Sequence, residues 1–317
     1  METSKNPVKF YGLLYISKKA NDGAYLQRID PQKRIELYFR MALRLAKGVH
    51  SRFGTALNLI TNEGDEIATL LEKITGSKTS NFITIKQIEF PSSGIPEGAR
   101  YFSATHKVML FDYFSRQADY SVLLDIDMIC LDGDSHPLTN YFENDIPLVY
   151  DISDQVFPAH GYARIFDDMQ KFGQTDWHFR WYGGEFIAGS AGFFQELSER
   201  ANSVLPRYTE IFASLHHQGD EMITSFCLNQ MRACNSQHLP LDLSAPDIVR
   251  RHHGKATLHD ERRFSRISKI GFLHLPTAKK LLSSNLADRT IVRVLSVAEL
   301  LPRRIAGPFL AVVGMVV

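Results

Sequence analysis

Tyr120-Ser121-Val122-Leu123-Leu124-Asp125-Ile126-Asp127-Met128-Ile129 sets the frame into which the other segments fall. A mostly apolar run leads directly into two carboxylates one residue apart. That pattern predicts a buried strand delivering acids to its carboxyl end, where open α/β sheets bind ligands. On a regular strand Asp125 and Asp127 point to the same side. Two carboxylates that close repel unless a cation sits between them or one takes a proton. A hard divalent ion with coordination sites left for phosphate oxygens is the matching counter-charge. The plainer reading is a strand end in a turn, where Asp is common.

Upstream, strand and helix alternate. Residues 9–17 predict a first strand, 18–30 a polar loop, and Pro31 the start of a helix. From there to about residue 50, Ile35, Tyr38, Phe39, Ala42, Leu45 and Ala46 keep helical spacing, and Gly54 breaks it. Residues 55–61 read as a second strand, 66–74 as a second helix stopped by Gly76, and 82–90 as a third strand. A turn-rich stretch over 91–98 precedes a helix over about 100–116. Four alternations argue for one α/β domain, a mostly parallel central sheet flanked by helices. Neither Gly-x-Gly-x-x-Gly nor Gly-x-x-x-x-Gly-Lys-Ser/Thr occurs, so the dinucleotide fingerprint and the P-loop are absent.

Downstream the regularity fades. Asp132-Gly133-Asp134 is a turn, 146–150 a short strand, and 151–176 loop with at most one short helix. Residues 177–182 hold both tryptophans of the chain, and a glycine-rich run over 183–192 follows at once. A helix spans 193–212, with Pro206 placed to bend or split it. Asp220 and Glu221 open another helix over 222–231, a position that the helix dipole alone would favour.

The 317 residues carry a formal net charge of +1, so nothing global favours nucleic acid and any anion site must be local. The exception is the segment 246–280, with nine Lys or Arg against three acids. It fits either a solvated face or a flexible basic lid over a diphosphate. Three cysteines without Cys-x-x-Cys spacing suggest no disulfide framework, and a reduced, cytoplasmic setting is expected. Residues 305–317 are almost wholly apolar and follow Arg303-Arg304, but thirteen residues are too few to span a bilayer. They fit a last core segment, a peripheral membrane contact, or the cut end of a longer protein. Two regions are expected: 1–245, carrying the site, and 246–317, a basic segment closing over it and ending in the apolar tail.

Taken together, these parts resemble the glycosyltransferases of A-type (GT-A, Rossmann-like) fold. The glycogenin and lipopolysaccharide galactosyltransferase branch has the signature His-x-x-Gly-x-x-Lys; His274 and Lys280 hold that spacing, with Thr277 in place of the glycine. In the histo-blood-group and α1,3-galactosyltransferase branch, Tyr-Tyr-x-Gly-x-Phe-Phe-Gly-Gly-Ser is similar to residues 181–190. That branch's His-Asp-Glu-Ser is similar to Gly219-Asp220-Glu221-Met222.

The resemblance implies a metal-dependent transferase that moves a sugar, with retention, from a nucleotide donor such as a UDP-sugar. Its acceptor would be a glycan, a lipid-linked sugar or a protein. It implies that Asp127 binds Mn²⁺ or Mg²⁺ directly, that Asp125 meets the metal or the ribose, and that His274 is a third ligand. Lys280 would hold the leaving diphosphate, Lys107 would bind the donor, and Glu221 would flank the anomeric carbon. Tyr15, Ser17 and Asn62, at the ends of the first two strands, are positioned to meet the nucleoside.

The residues themselves agree with that cast. Expelling a nucleoside diphosphate requires its charge to be neutralised, and an oxocarbenium-like centre is stabilised by a carboxylate, here Glu221 or Asp220. Glu185, an acid in a glycine-rich run, is a further candidate to meet a hydroxyl. Trp177, Trp181 and Tyr182 offer flat faces for sugar stacking or core packing, with Gly189 in the same acceptor segment. His178 reads as a surface or core histidine rather than a base. Two alternatives stand beside this reading. One is a haloacid-dehalogenase-like phosphohydrolase, whose nucleophile strand also ends in Asp-x-Asp. The other is a sugar-nucleotide or glycan-binding protein without turnover.

Overall fold

A computed structural model of the chain describes residues 7–17, 26, 29–97, 99, 101–131, 136–244, 248–252 and 271–300. The chain opens with β1 (Val8–Leu14), α1 (Pro31–Phe53), β2 (Leu57–Thr61), α2 (Gly64–Thr75), β3 (Ile83–Gln87), α3 (Phe102–Ser115) and β4 (Tyr120–Leu124). Local chemistry accounts for the start of α1: the Asp30 carboxylate accepts the Lys33 N–H at 3.1 Å, and Pro31 follows at once. Then come β5 (Met128–Cys130), α4 (His136–Glu143), β6 (Leu148–Asp151), α5 (Ser153–His160), α6 (Tyr162–Gln170), β7 (Tyr182–Gly189) and α7 (Ala191–Ile211). The described part closes with α8 (Asp220–Ala233), β8 (Leu241–Asp242), β9 (Val249–Arg251), β10 (Phe272–His274), α9 (Lys279–Leu282) and α10 (Asp288–Leu300).

Seven strands form one sheet in the order β3-β2-β1-β4-β7-β6-β8. The first four are mutually parallel, as three successive strand–helix units leading into β4 require; β7 runs antiparallel to β4 and to β6, and β8 lies parallel to β6. Every residue of β4 is buried, which is why it reads as a mostly apolar run without alternation. A second sheet, β5-β10-β9, brings the C-terminal part back beside the acids. Its packing rests on a separate apolar cluster that includes Met41 of α1, Ile129, Leu273 and Leu282. Arg44 of α1 fastens it further, donating at 2.7 Å to the carbonyls of Leu282 and Ser284 and pairing with Asp288.

Two local expectations change, and a third segment gains an element that the sequence did not suggest. β4 stops at Leu124, and the acids stand on a turn rather than a regular strand: the Met128 N–H donates to the Asp125 carbonyl at 3.2 Å. The glycine-rich run forms a fully buried central strand, although glycine is a poor strand former by propensity. Residues 151–176 contain two helices, α5 and α6, and α7 continues through Pro206. Most of the basic run (253–270), the turn at 132–134 and the apolar tail from 301 onward lie outside the described residues. Among the described residues, no helix is long and apolar enough to cross a membrane. Cys130, Cys227 and Cys234 are free thiols.

Candidate active site

A cavity of about 560 Å³ opens at the carboxyl ends of β1 and β4. The end of β1, α1, the start of α3, the turn after β4, α5, the lead-in to α8 and the C-terminal residues Arg251, His274 and Lys279 wall it. That is the size range of small-molecule sites, in the place where an α/β sheet presents them.

At one end stands the acid pair with His274. Ligand atoms of Asp125, Asp127 and His274 all lie within 4.8 Å of one another. His274 Nε2 is 3.0 Å from Asp127 Oδ1 and 3.7 Å from Asp125 Oδ2, and Asp127 Oδ2 also accepts from Lys279 Nζ. Burial alone would raise the Asp127 pKa, but Lys279 and His274 outweigh it and hold the group well below the carboxylate range. Burial would lower His274; Asp127 and Glu185 instead push it up to about 9. Two carboxylates and an imidazole converging on one point suit Mn²⁺ or Mg²⁺ with positions left for phosphate oxygens. Behind the ring, Glu185 Oε1 lies 3.3 Å from His274 Nδ1, the place from which a carboxylate fixes a metal-ligating histidine.

Across the cavity stands the second acid pair. Lys107 Nζ donates at 2.8 Å to Asp125 Oδ1, at 2.6 Å to Asp220 Oδ2 and at 3.1 Å to the Gly184 carbonyl. Burial pulls the Lys107 ammonium down, and Asp125 and Asp220 more than offset it, so it stays charged. One ammonium shared between two acids does not fully compensate Asp220. Burial dominates there and pushes its carboxyl up to about 6. Glu221 has its own partners: Arg251 pairs with Oε1, and the Trp181 Nε1–H donates to Oε2 at 3.1 Å. Against burial, Arg251 and then His217 hold Glu221 well below the ordinary range. Arg251 also grips Glu185 with two bonds of 2.7 Å, and Glu185 falls to about 2.

Five carboxylates in this network face three Lys or Arg side chains. Two negative charges remain, one of them offset while His274 keeps its proton, so a divalent cation that displaced that proton would meet an equal and opposite excess.

The glycine run makes this packing possible. A Cβ at Gly184 would collide with the Asp220 carboxylate and come within 2.8 Å of Lys107 Nζ; one at Gly183 would collide with Glu185. Gly219, at φ 124°, turns the chain into α8 and donates its N–H to the Tyr208 hydroxyl at 2.7 Å.

The candidates from the sequence fall into two groups. Tyr15, Ser17, Lys107, Asp125, Asp127, Asp220, Glu221 and His274 all line the cavity. The others lie outside its lining. Asn62 is turned to the backbone, with Ile16 N–H on its Oδ1 at 2.7 Å and its Nδ2 on the Ile16 carbonyl at 3.0 Å. Lys280 is exposed, and the neighbouring Lys279 takes the inward position. Glu185 and Trp181 are completely buried and reach the cavity only through their partners, while Tyr182 and Gly189 lie within β7. Trp177 is 52% exposed and packs on Phe166 and Tyr162.

Arg251, Lys279 and His217 are the residues that sequence reasoning left undistinguished. Arg251 was one of nine like charges in a run, and only the pairing of β9 with β10 aims it at Glu185.

Neither a family model nor a curated protein matches the sequence. Solved structures do match in fold. The galactosyltransferase LgtC, in complex with donor and acceptor sugar analogues, superposes with a TM-score of 0.51 at 11% identity, covering 89% of this chain and 98% of that one. An active-site mutant of LgtC gives 0.51 at 12% identity over 93% and 98%. The bifunctional glycosyltransferase WbbM, in its apo form, gives 0.50 at 8% identity over 92% of this chain and 52% of that one. The chain thus has the A-type glycosyltransferase fold, as the order of its motifs led one to expect.

Proposed function

We propose that the protein is a glycosyltransferase that moves a sugar from a nucleoside-diphosphate donor, a UDP-sugar, to a hydroxyl of a glycan, lipid-linked or protein acceptor, with retention. The observation that carries this reading is the convergence of Asp125, Asp127 and His274 at a cavity whose other wall holds Asp220 and Glu221. Those first three residues would hold Mn²⁺ or Mg²⁺, which supplies Lewis-acid charge to the departing diphosphate.

The protein's own groups do the rest. Transfer breaks the bond between the anomeric carbon and a phosphate oxygen and makes one to the acceptor oxygen, whose proton passes to the departing phosphate. The donor sugar gains positive charge as the old bond lengthens. Glu221, kept ionised by Arg251, supplies a fixed negative charge with no need to reorganise. Lys107 ties this acid pair to the metal-side pair through Asp125 and Asp220. Tyr15 and Ser17 line the β1 end of the cavity, where the nucleoside would stand.

The phosphohydrolase alternative belongs to a different fold and lapses with it. The reading is tested by calorimetry with UDP-sugars and Mn²⁺. Asp127→Ala is expected to abolish metal-dependent donor binding, and unchanged binding would sink the assignment. Slow donor hydrolysis by the unaltered chain separates a transferase from a protein that only binds.

A further inference from the structure

Both carboxylate oxygens of Asp127 already have a partner. Oδ1 faces His274 Nε2 at 3.0 Å, and Oδ2 is taken by the Lys279 ammonium. That lysine opens α9, its side chain is only 12% exposed, and its Nζ also lies 5.4 Å from the centre of the Tyr38 ring. It therefore occupies a fitted place within the cavity wall.

A divalent ion bound by Asp125, Asp127 and His274 would bring two positive charges against this ammonium. Like charges in a poorly solvated site repel strongly, so ion and lysine compete for Asp127. A flexible four-carbon stem bearing three donors lets the ammonium swing away into the adjoining cavity. Donor phosphates are the anions that would meet it there.

Resting on the metal-dependent transfer argued above, we propose that Lys279 is a tethered counter-cation that holds Asp127 before the ion arrives and passes to the donor diphosphate when the ion replaces it. Lys279 then weakens metal binding to the empty protein and strengthens binding of metal and diphosphate together. By reciprocity, each ligand raises the affinity of the other. A lysine fixed permanently on Asp127 would predict no such exchange.

The experiment uses the full chain at one pH and ionic strength, with Mn²⁺ binding followed by electron paramagnetic resonance and by calorimetry, with and without UDP. UDP ligates Mn²⁺ itself, so some coupling is present in any case; Lys279→Met isolates the lysine's share. Without UDP, that variant is expected to bind Mn²⁺ roughly tenfold more tightly than the unaltered chain, while the gain on adding UDP shrinks by a similar factor. Lys279→Arg keeps the charge and should keep the weak metal affinity, a result that loss of packing alone would not give. If the methionine variant does not fold, Lys279→Gln takes its place in the same measurement. Unchanged or weaker Mn²⁺ binding by the neutral variant without UDP overturns the exchange and leaves the transferase reading standing. Absence of any Mn²⁺ binding that depends on Asp127 overturns both.

Discussion

The two acid pairs of the cavity are alike in sequence and opposite in electrostatics. Asp125 and Asp127 flank one residue in a turn, and Asp220 and Glu221 are adjacent at the front of α8. Each pair has one deeply buried member, Asp127 and Asp220, with side chains 6% and 8% exposed. Asp127 is held well below the carboxylate range, whereas Asp220 is pushed up to about 6. Depth is therefore not what decides ionisation here. Asp127 has Lys279 and His274 beside it; Asp220 shares Lys107 with Asp125 and has the negative Glu221 next to it. A buried carboxylate stays charged where the positive groups beside it outweigh burial and the negative ones, as Lys279 and His274 do at Asp127 and Lys107 alone does not at Asp220.

Removing a cation on which two buried acids depend should hurt most. Arg251→Met strands both Glu185 and Glu221, and a buried charge left without its partner costs about 3–5 kcal/mol. Chemical denaturation of the metal-free chain should register a loss of that order, and a loss under 1 kcal/mol would mean that the two glutamates find other partners. Next in size is Glu221→Gln, which keeps the shape and deletes the charge. If Glu221 is the fixed anion of transfer, turnover should fall about 10²–10³-fold while donor affinity, measured by calorimetry, stays within about threefold. Equal losses in binding and turnover would place Glu221 in ground-state recognition instead.

How much of this could be read from the chain alone follows from which interactions are local. The first two strand–helix units were legible because each helix is a periodic run closed locally, α1 by Asp30 and Gly54 and α2 by Gly76. Asp125, Asp127 and His274 were legible through spacing and resemblance. The roles of Arg251 and Lys279 were not, because Lys279 reaches Asp127 across 152 positions and Arg251 reaches Glu185 across 66. Both partnerships depend on sheet pairing between segments that carry no signal of each other. The glycine-rich run carried no strand signal for a related reason: its glycines make room for Asp220, Lys107 and Glu185 lying against the strand.

Lys107, divided between Asp125 and Asp220, gives a third and smaller effect, visible in pH dependence. Asp220 moves from 3.8 to about 6 on folding, so the folded chain holds this proton more tightly than the unfolded one. The group stabilises most below about pH 4, and its contribution is lost as pH rises to about 6, on the order of 3 kcal/mol at most. Glu185, lowered from 4.5 to about 2, acts in the opposite sense: its contribution is present above about pH 4.5 and lost on acidification toward pH 2. The two windows barely overlap. Unfolding free energies of the unaltered chain and Asp220→Asn, taken in chelator between pH 4 and 7, should differ by an amount that changes across 4–6 and then levels. A difference independent of pH would show that Asp220 is ionised throughout.

Trp181→Phe sets the finest test of the comparison, because it separates the two oxygens of Glu221. The indole is fully buried, lies edge-on to His217 at 4.5 Å and donates its only N–H to Oε2, while Arg251 holds Oε1. Phenylalanine retains most of the apolar contact and removes that donor. A hydrogen bond to a charged group contributes about 1.5–3 kcal/mol, so stability should fall by about 2 kcal/mol, less than for Arg251→Met. Turnover should fall less than for Glu221→Gln, since the charge remains and only its second tether is gone. Should turnover instead collapse to the level of Glu221→Gln, the orientation of the carboxylate, and not its charge alone, would be what the second acid pair contributes. The contrast with Asp127, whose oxygens are both held by cationic side chains, would then be one of geometry as much as of pairing.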